Sequence, residues 1–144
     1  MSGGHKRRGQ SLVEFALVLP LLVLIVFGVL DLGRAFYALI TITNAAREGA
    51  RYGITNLDLS HGMSLGERDL IISGTKDEIA NTDFAIDKTK LVVNPTCDPD
   101  PCAPGGALKV TVTYPFNSII NTVFFGVLFP SNIDMIRSIE MVIP

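Results

Sequence analysis

The chain has 144 residues, of which 48% are hydrophobic and 18% are charged, and its formal net charge is −2. This length holds about one domain, and the composition is apolar for a small water-soluble protein. The slight acidity, and the absence of aromatic residues interleaved with basic ones, argue against nucleic acid as a partner.

Residues 1–9, MSGGHKRRG, form a basic leader. The segment is polar and contains several glycines, so it has little apolar surface to bury. We therefore expect it to be disordered on its own.

A long helix is predicted at residues 10–52, with its transmembrane part at about residues 12–30. Residues 15–30 contain no charged side chain. At about 1.5 Å per residue, the apolar run reaches roughly 24 to 29 Å, which is close to the thickness of the bilayer hydrocarbon. Basic residues precede the run, whereas the charges of Asp31 and Arg34, which follow the run, cancel each other. This asymmetry predicts a single-pass protein with a cytoplasmic amino terminus and an extracytoplasmic carboxy-terminal part.

Two alternatives to a membrane helix stay open. A cleaved secretory signal ends in small residues, whereas VLDLGRAFYALI continues a helical pattern beyond Leu30. The other alternative is a buried helix of a soluble domain, but a helix that is apolar on all sides has no face for water.

A ridge of small residues follows in the outer half of this helix. Its five members lie at four-residue spacing, with Ala45, Gly49 and Gly53 in one row and Ala46 and Ala50 in the other. One face of the helix therefore carries almost no side chain, which predicts close packing. Arg47 and Arg51 stand beside it. The sequence leaves open what packs on the ridge. One alternative is the strands of the same chain, with the arginines solvated, and the other is a neighbouring subunit.

Residues 53–144 are predicted to form an extracytoplasmic α+β part. Residues 53–66 resemble a loop, and Thr75 with Glu78 predicts a capping box for a short helix. Three strands are predicted, at residues 90–94, 108–114 and 133–143, and the second of them alternates clearly and should end at Pro115.

The uncharged stretch NSIINTVFFGVLF, residues 117–129, is too short to span a bilayer comfortably. We predict a short helix that is buried or touches the membrane, and a second membrane span is the alternative.

Cys97 and Cys102 are the only two cysteines and lie in CDPDPC. The two prolines restrict this loop and favour a disulfide, which would fit an oxidising compartment. Free thiols and a metal site are the alternatives. The metal site is the weaker of the two, because His5 and His61 are remote in sequence.

No motif for catalysis was found: the chain has no nucleophile elbow, no phosphate-binding glycine loop and no HExxH. We therefore expect a protein that is not an enzyme and that uses no cofactor, metal or small-molecule substrate.

The order of the amino-terminal residues resembles a known class. Gly9 is followed by QSLV, then by Glu14 and Phe15 and the apolar run. This order resembles type IV prepilins and pseudopilins, in which a prepilin peptidase cuts just after the glycine. The longer stretch GQSLVEFALVLPLLVLIVFGVLDLGRAF, together with NAAREGARYG, closely resembles TadE-like proteins of the Tad (Flp) pilus system. The closing strands are similar to that family as well.

This resemblance implies an α+β, pilin-like fold: a long amino-terminal helix with a small antiparallel sheet packed on its outer half. It also implies a minor pseudopilin, cut between Gly9 and Gln10, that helps to assemble an adhesive pilus or a related secretion machine. The implied partners are other pilin or pseudopilin subunits, the prepilin peptidase, the inner-membrane assembly platform with its ATPase, an outer-membrane secretin, and membrane lipid. The implied location is the bacterial inner membrane, with possible incorporation into a surface pilus. An uncleaved single-pass adaptor with an envelope-exposed binding domain is the alternative.

Overall fold

The computed structural model describes residues 5–79, 86–122 and 132–144, with side chains described from residue 9 onward. The α-helices and strands of the described part are α1 (His5–Asn56), α2 (Leu65–Ile79), β1 (Val92–Asp98), β2 (Ala107–Asn117) and β3 (Asn132–Val142). The strands form one antiparallel sheet in the order β1-β2-β3. The predicted α+β arrangement of a long amino-terminal helix and a small antiparallel sheet is confirmed.

Helix α1 is longer than predicted at both ends. It begins at His5, inside the leader that we expected to be disordered, and continues through Pro20 to Asn56. A helix nucleated by the apolar run can extend residue by residue without a new nucleation step, which accounts for its reach into the leader. At the other end, Gly53 packs closely against the side chains of Leu108 and Ile71. This tertiary contact holds a helical turn that the sequence alone assigned to a loop.

The predicted capping box at Thr75 and Glu78 is wrong, because both residues lie inside α2. The Thr75 hydroxyl donates to the Ile71 carbonyl at 2.7 Å, one turn back in the helix. The box is formed instead by Ser64 and Glu67. The Ser64 N–H donates to Glu67 Oε2 at 2.8 Å, and the Glu67 N–H donates to Ser64 Oγ at 3.2 Å. These reciprocal bonds satisfy backbone donors at the start of α2.

The three predicted strands are present with shifted bounds. Strand β2 shows the predicted alternation, and its buried residues are Leu108, Val110, Val112, Tyr114 and Phe116. Pro115 does not end the strand, since it pairs with Asp134 of β3. The pairing of β2 with β1 reaches only as far as Thr113, so β2 has a single neighbour at Pro115. A proline is tolerated there because its missing N–H can lie on the side without a partner strand.

The inner face of the sheet packs on the outer half of α1, and α2 packs on α1 beside it. The shared core contains Ala38, Ile42, Ile71, Ile79 and the inward residues of β2. Of the helix predicted at residues 117–129, a helical turn is present at residues 119–122. Residues 123–131 lie outside the described part of the chain, and so does most of that prediction.

Candidate assembly site

The predicted cleavage site lies on the first turns of α1. Gly9 and Gln10 are both exposed and helical. A Cβ atom placed on Gly9 would meet nothing within 4 Å. The packing of the described part of the chain therefore does not require a glycine at position 9.

Glu14 and Phe15 lie next on the same helix, and both are exposed. Among residues 9–79, 86–122 and 132–144, no hydrogen bond or ion pair to the Glu14 carboxylate is present. The ring of Phe15 is likewise 59% exposed. A carboxylate in this position, at the start of an apolar helix, has no compensating group in the described part of its own chain.

The apolar side chains of the run after Glu14 are mostly exposed. The run contains an 18-residue window with a mean hydropathy of 2.8, none of which is buried within the protein. By length and composition, α1 can therefore cross a membrane. Exposed leucine, valine and isoleucine side chains cover all sides of the helix from Leu12 to Leu30. Such a surface is compatible with lipid and incompatible with water, and the protein is membrane-anchored.

At the outer end of the run, Asp31 connects α1 to the residues that follow β2. Its side chain is largely buried, with 7% of the residue exposed. The Ser118 hydroxyl donates to Oδ2 at 2.7 Å, and the Ile120 N–H donates to the same oxygen at 2.9 Å. The Arg34 guanidinium donates to Oδ1 at 3.1 Å. It also lies over the Phe116 ring, 5.3 Å from the centroid.

The small-residue ridge is inside the protein. Its five members, Ala45, Ala46, Gly49, Ala50 and Gly53, are all buried. A Cβ on Gly49 would overlap the Thr75 side chain of α2, and a Cβ on Gly53 would come within 2.5 Å of Leu108 Cδ2 in β2. The sequence left two partners of the ridge open, the same chain and a neighbouring subunit. In the structure, the ridge packs within its own chain. That partner includes α2 as well as the sheet, which the sequence did not indicate.

The two arginines beside the ridge differ. Arg51 forms an ion pair with Glu48, and its hydrogen bonds to that carboxylate, 2.6 and 2.9 Å long, hold the pKa of Glu48 below its ordinary value. The pair is exposed and contributes little to stability. Arg47 is exposed and has no ion pair within the described ranges.

Arg47 lies in a groove of about 370 Å³ between α1 and β3, called here the α1–β3 groove. Its lining is mainly apolar on the helix side: Phe36, Leu39, Ile40, Thr43, Asn44 and Arg47, with Arg137 from β3. Arg137 pairs in register with Val112, so it occupies the row of β3 that faces the core side of the sheet. No ion pair of Arg137 is present in the described part of the chain. The α1–β3 groove thus combines an apolar floor with two available cations.

Cys97 and Cys102 are joined in a disulfide, with their Cα atoms 5.1 Å apart. The disulfide closes the loop between β1 and β2. The end of this loop is tied to the carboxy terminus, because the Gly105 N–H donates to the Ile143 carbonyl at 2.9 Å and the Ile143 N–H donates to the Gly106 carbonyl at 2.8 Å. Gly105 has a φ of 81°, a conformation that favours glycine. The loop is therefore fixed at both ends.

Sequence reasoning missed three features of these surfaces. Asp31 was treated only as a charge that balances Arg34, and Arg137 only as part of a strand. Nothing local in the sequence signals that Ser118 and Ile120 bond to Asp31, or that Arg137 lines the α1–β3 groove. The capping box was different, since Ser64 and Glu67 have the required spacing and directly precede the helix.

The structure combines a helix that can cross a membrane, an exposed glutamate near the beginning of that helix and a small antiparallel sheet. Residues 9–51 match the family model described as TadE-like protein. This match confirms the predicted resemblance to TadE-like proteins from the predicted cleavage site through the apolar run to Arg51. The similarity of the closing strands to that family stays a prediction. The role that the match suggests is that of a Tad pilus-associated component. No curated protein and no solved structure is detectably similar to the chain.

Proposed function

We propose that the protein is a minor pseudopilin, a structural and assembly component of a Tad (Flp) pilus or a related secretion machine. Its amino terminus is cytoplasmic until a prepilin peptidase cuts the chain between Gly9 and Gln10. The observation that carries the proposal is Glu14, whose carboxylate stands on a bare apolar helix with no partner among the described residues. A function that supplies the missing partner is favoured over one that leaves the charge uncompensated in lipid.

Cleavage supplies a partner of the right charge. Removal of residues 1–9 takes away three basic side chains and creates an α-amino group on Gln10. Four residues of helix span about 6 Å, so the amine and Glu14 of two adjacent chains can pair when the helices are in register. A subunit out of register leaves both charges unpaired in a medium of low dielectric constant, and such a subunit is rejected.

A glycine at position 9 is compatible with cleavage there. It suits a peptidase that needs close approach to the backbone, and no contact in the described part of the chain would oppose access to it. Neighbouring pilin subunits are then expected to contact the exposed apolar side of α1 and the α1–β3 groove. The small-residue ridge is not available to them, because it is buried within the chain.

The decisive experiment replaces Glu14 by Gln in the host cell. Membrane insertion and cleavage are expected to continue, because the apolar run is unchanged and the cut lies five residues away, whereas pilus assembly is lost. The measurements are the amino-terminal sequence of the membrane-bound protein and the amount of surface pilus. Glu48→Gln is the matched control, since it removes a carboxylate from the same helix outside the apolar run.

Each result has a distinct meaning. A wild-type chain that begins at Gln10 supports the pseudopilin, and one that begins at Met1 or Ser2 supports the uncleaved adaptor. Normal pili in the Glu14→Gln strain would refute the pairing role. Loss of cleavage in that strain would show that the peptidase itself recognises Glu14.

A further inference from the structure

The turn after β2, residues 118–122, is held against α1 at the outer end of the apolar run. Two of its groups bond to the same oxygen of Asp31: the Ser118 hydroxyl at 2.7 Å and the Ile120 N–H at 2.9 Å. One acidic side chain therefore fixes the position of the whole turn relative to the helix.

The turn reaches below the level of Asp31. A Cβ on Gly28 would lie 3.6 Å from Ile120 Cδ1, in ordinary van der Waals contact. Gly28 belongs to the uncharged run of residues 15–30, three residues or about 4.5 Å of helix before Asp31. A second part of the chain thus lies alongside the segment that can cross the membrane.

The backbone of the turn is suited to an apolar medium. The Ile120 N–H donates to Asp31, the Asn121 N–H donates to Ser118 Oγ at 3.1 Å, and the Thr122 N–H donates to the Ser118 carbonyl at 3.1 Å. Backbone donors must be satisfied in this way before a segment can approach hydrocarbon, because lipid offers no replacement for water. The side chains of Ile119 and Ile120 are meanwhile only half-buried by the protein.

We propose that the turn at residues 118–122 is a lipid-contacting surface, which Asp31 positions at the boundary of the bilayer that α1 crosses. Ile119 and Ile120 cover part of their remaining surface with lipid, so the outer part of the protein rests on the membrane and is not held above it. Lipid is the occupant because the surface is continuous with the apolar run through the contact between Ile120 and Gly28. The proposal requires a membrane-spanning α1 but not cleavage or a role in a pilus.

The chain contains no tryptophan, so a single introduced tryptophan reports its own surroundings. The full chain is placed in phosphatidylcholine vesicles, with and without bromine atoms on the acyl chains, and carries Ile119→Trp. Val26→Trp, at an exposed position inside the run, marks full contact with lipid. Val92→Trp, at an exposed position of β1, marks contact with water; the native residues are 58% and 61% exposed, respectively.

Ile119→Trp is expected to emit at shorter wavelength than Val92→Trp and to lose most of its emission in brominated vesicles, as Val26→Trp does. Emission like that of Val92→Trp would overturn the proposal. Short-wavelength emission without quenching by bromine would also overturn it, because the surface would then be covered by protein, such as a second copy.

The role of Asp31 is tested by adding Asp31→Ala to the Ile119→Trp chain. Release of the turn is expected to shift quenching towards the value of Val92→Trp. Unchanged quenching in a folded double variant would overturn the positioning role of Asp31. If the double variant does not fold, the comparison of Ile119→Trp with Val92→Trp still decides whether the turn contacts lipid.

Discussion

The crossing of α1 and α2 depends on Gly49, and Gly49→Ala should destabilise the protein. A Cβ at this position would overlap Thr75 Oγ1 and lie 3.1 Å from Thr75 Cβ. Rotation of the threonine side chain moves Oγ1 but not Cβ, and it breaks the 2.7 Å hydrogen bond to the Ile71 carbonyl. The helices must therefore separate, or Thr75 must lose its bond.

Overpacking of this kind costs about 1 to 3 kcal/mol. Alanine is a better helix former than glycine by about 1 kcal/mol, so the right reference is a glycine of the same protein whose replacement meets no obstacle. Gly66 of α2 is exposed, and a Cβ there would meet nothing within 4 Å. We expect Gly49→Ala to be less stable than Gly66→Ala by about 1 to 3 kcal/mol.

Thermal unfolding of the full chain in detergent micelles, followed by the near-ultraviolet circular dichroism of its three tyrosines, measures this difference. For a protein of this size, 1 kcal/mol corresponds to a change in Tm on the order of 4 °C. Thr75→Ala removes the overlapping atom, so Gly49→Ala should lower the free energy of unfolding by less in the Thr75→Ala protein than in the wild type. The expected coupling energy between the two substitutions is on the order of 1 kcal/mol. The reasoning is refuted if Gly49→Ala melts as high as Gly66→Ala, or if the two effects simply add.

Three further outcomes are expected. Thiol reagents applied to unreduced intact cells should not label Cys97 or Cys102 until a reductant is added, whereas ready labelling would exclude the disulfide in the cell. Ser64→Ala should lower the Tm, because it removes the hydrogen bond from Ser64 Oγ to Glu67 Oε2, which holds the pKa of Glu67 below its ordinary value. A lowered carboxyl pKa stabilises the fold above the unfolded-state pKa, and the stabilisation is lost as the pH falls through the folded-state value. The Tm difference between wild type and Ser64→Ala should therefore narrow below about pH 4, and a constant difference would contradict this origin. Arg137→Glu should reduce assembly with other subunits at unchanged Tm, whereas Arg137→Lys should retain it; equal assembly by both variants would remove the α1–β3 groove from the assembly surface.

Local patterns in the sequence were enough for much of the architecture. The apolar run, the alternation of β2 and the closeness of Cys97 and Cys102 each depend on residues near one another in the chain. The spacing of Gly9 and Glu14 is equally local, and it led to the TadE-like resemblance that the family match over residues 9–51 confirms. Such features can be recognised in the sequence because a helix or strand imposes its own period on the residues that form it.

The sequence by itself thus determined the membrane-compatible helix, the three strands in outline, and which helix face is smooth enough for close packing. It did not locate the start of α2. Only the tertiary structure decided what covers each face. It placed α2 on the ridge at Gly49, brought Ser118 to Asp31 across 87 residues, and left β2 with one neighbour at Pro115, so that the strand continues. The physical reason is that periodicity specifies the direction in which a side chain points, whereas its partner depends on how distant segments meet in space.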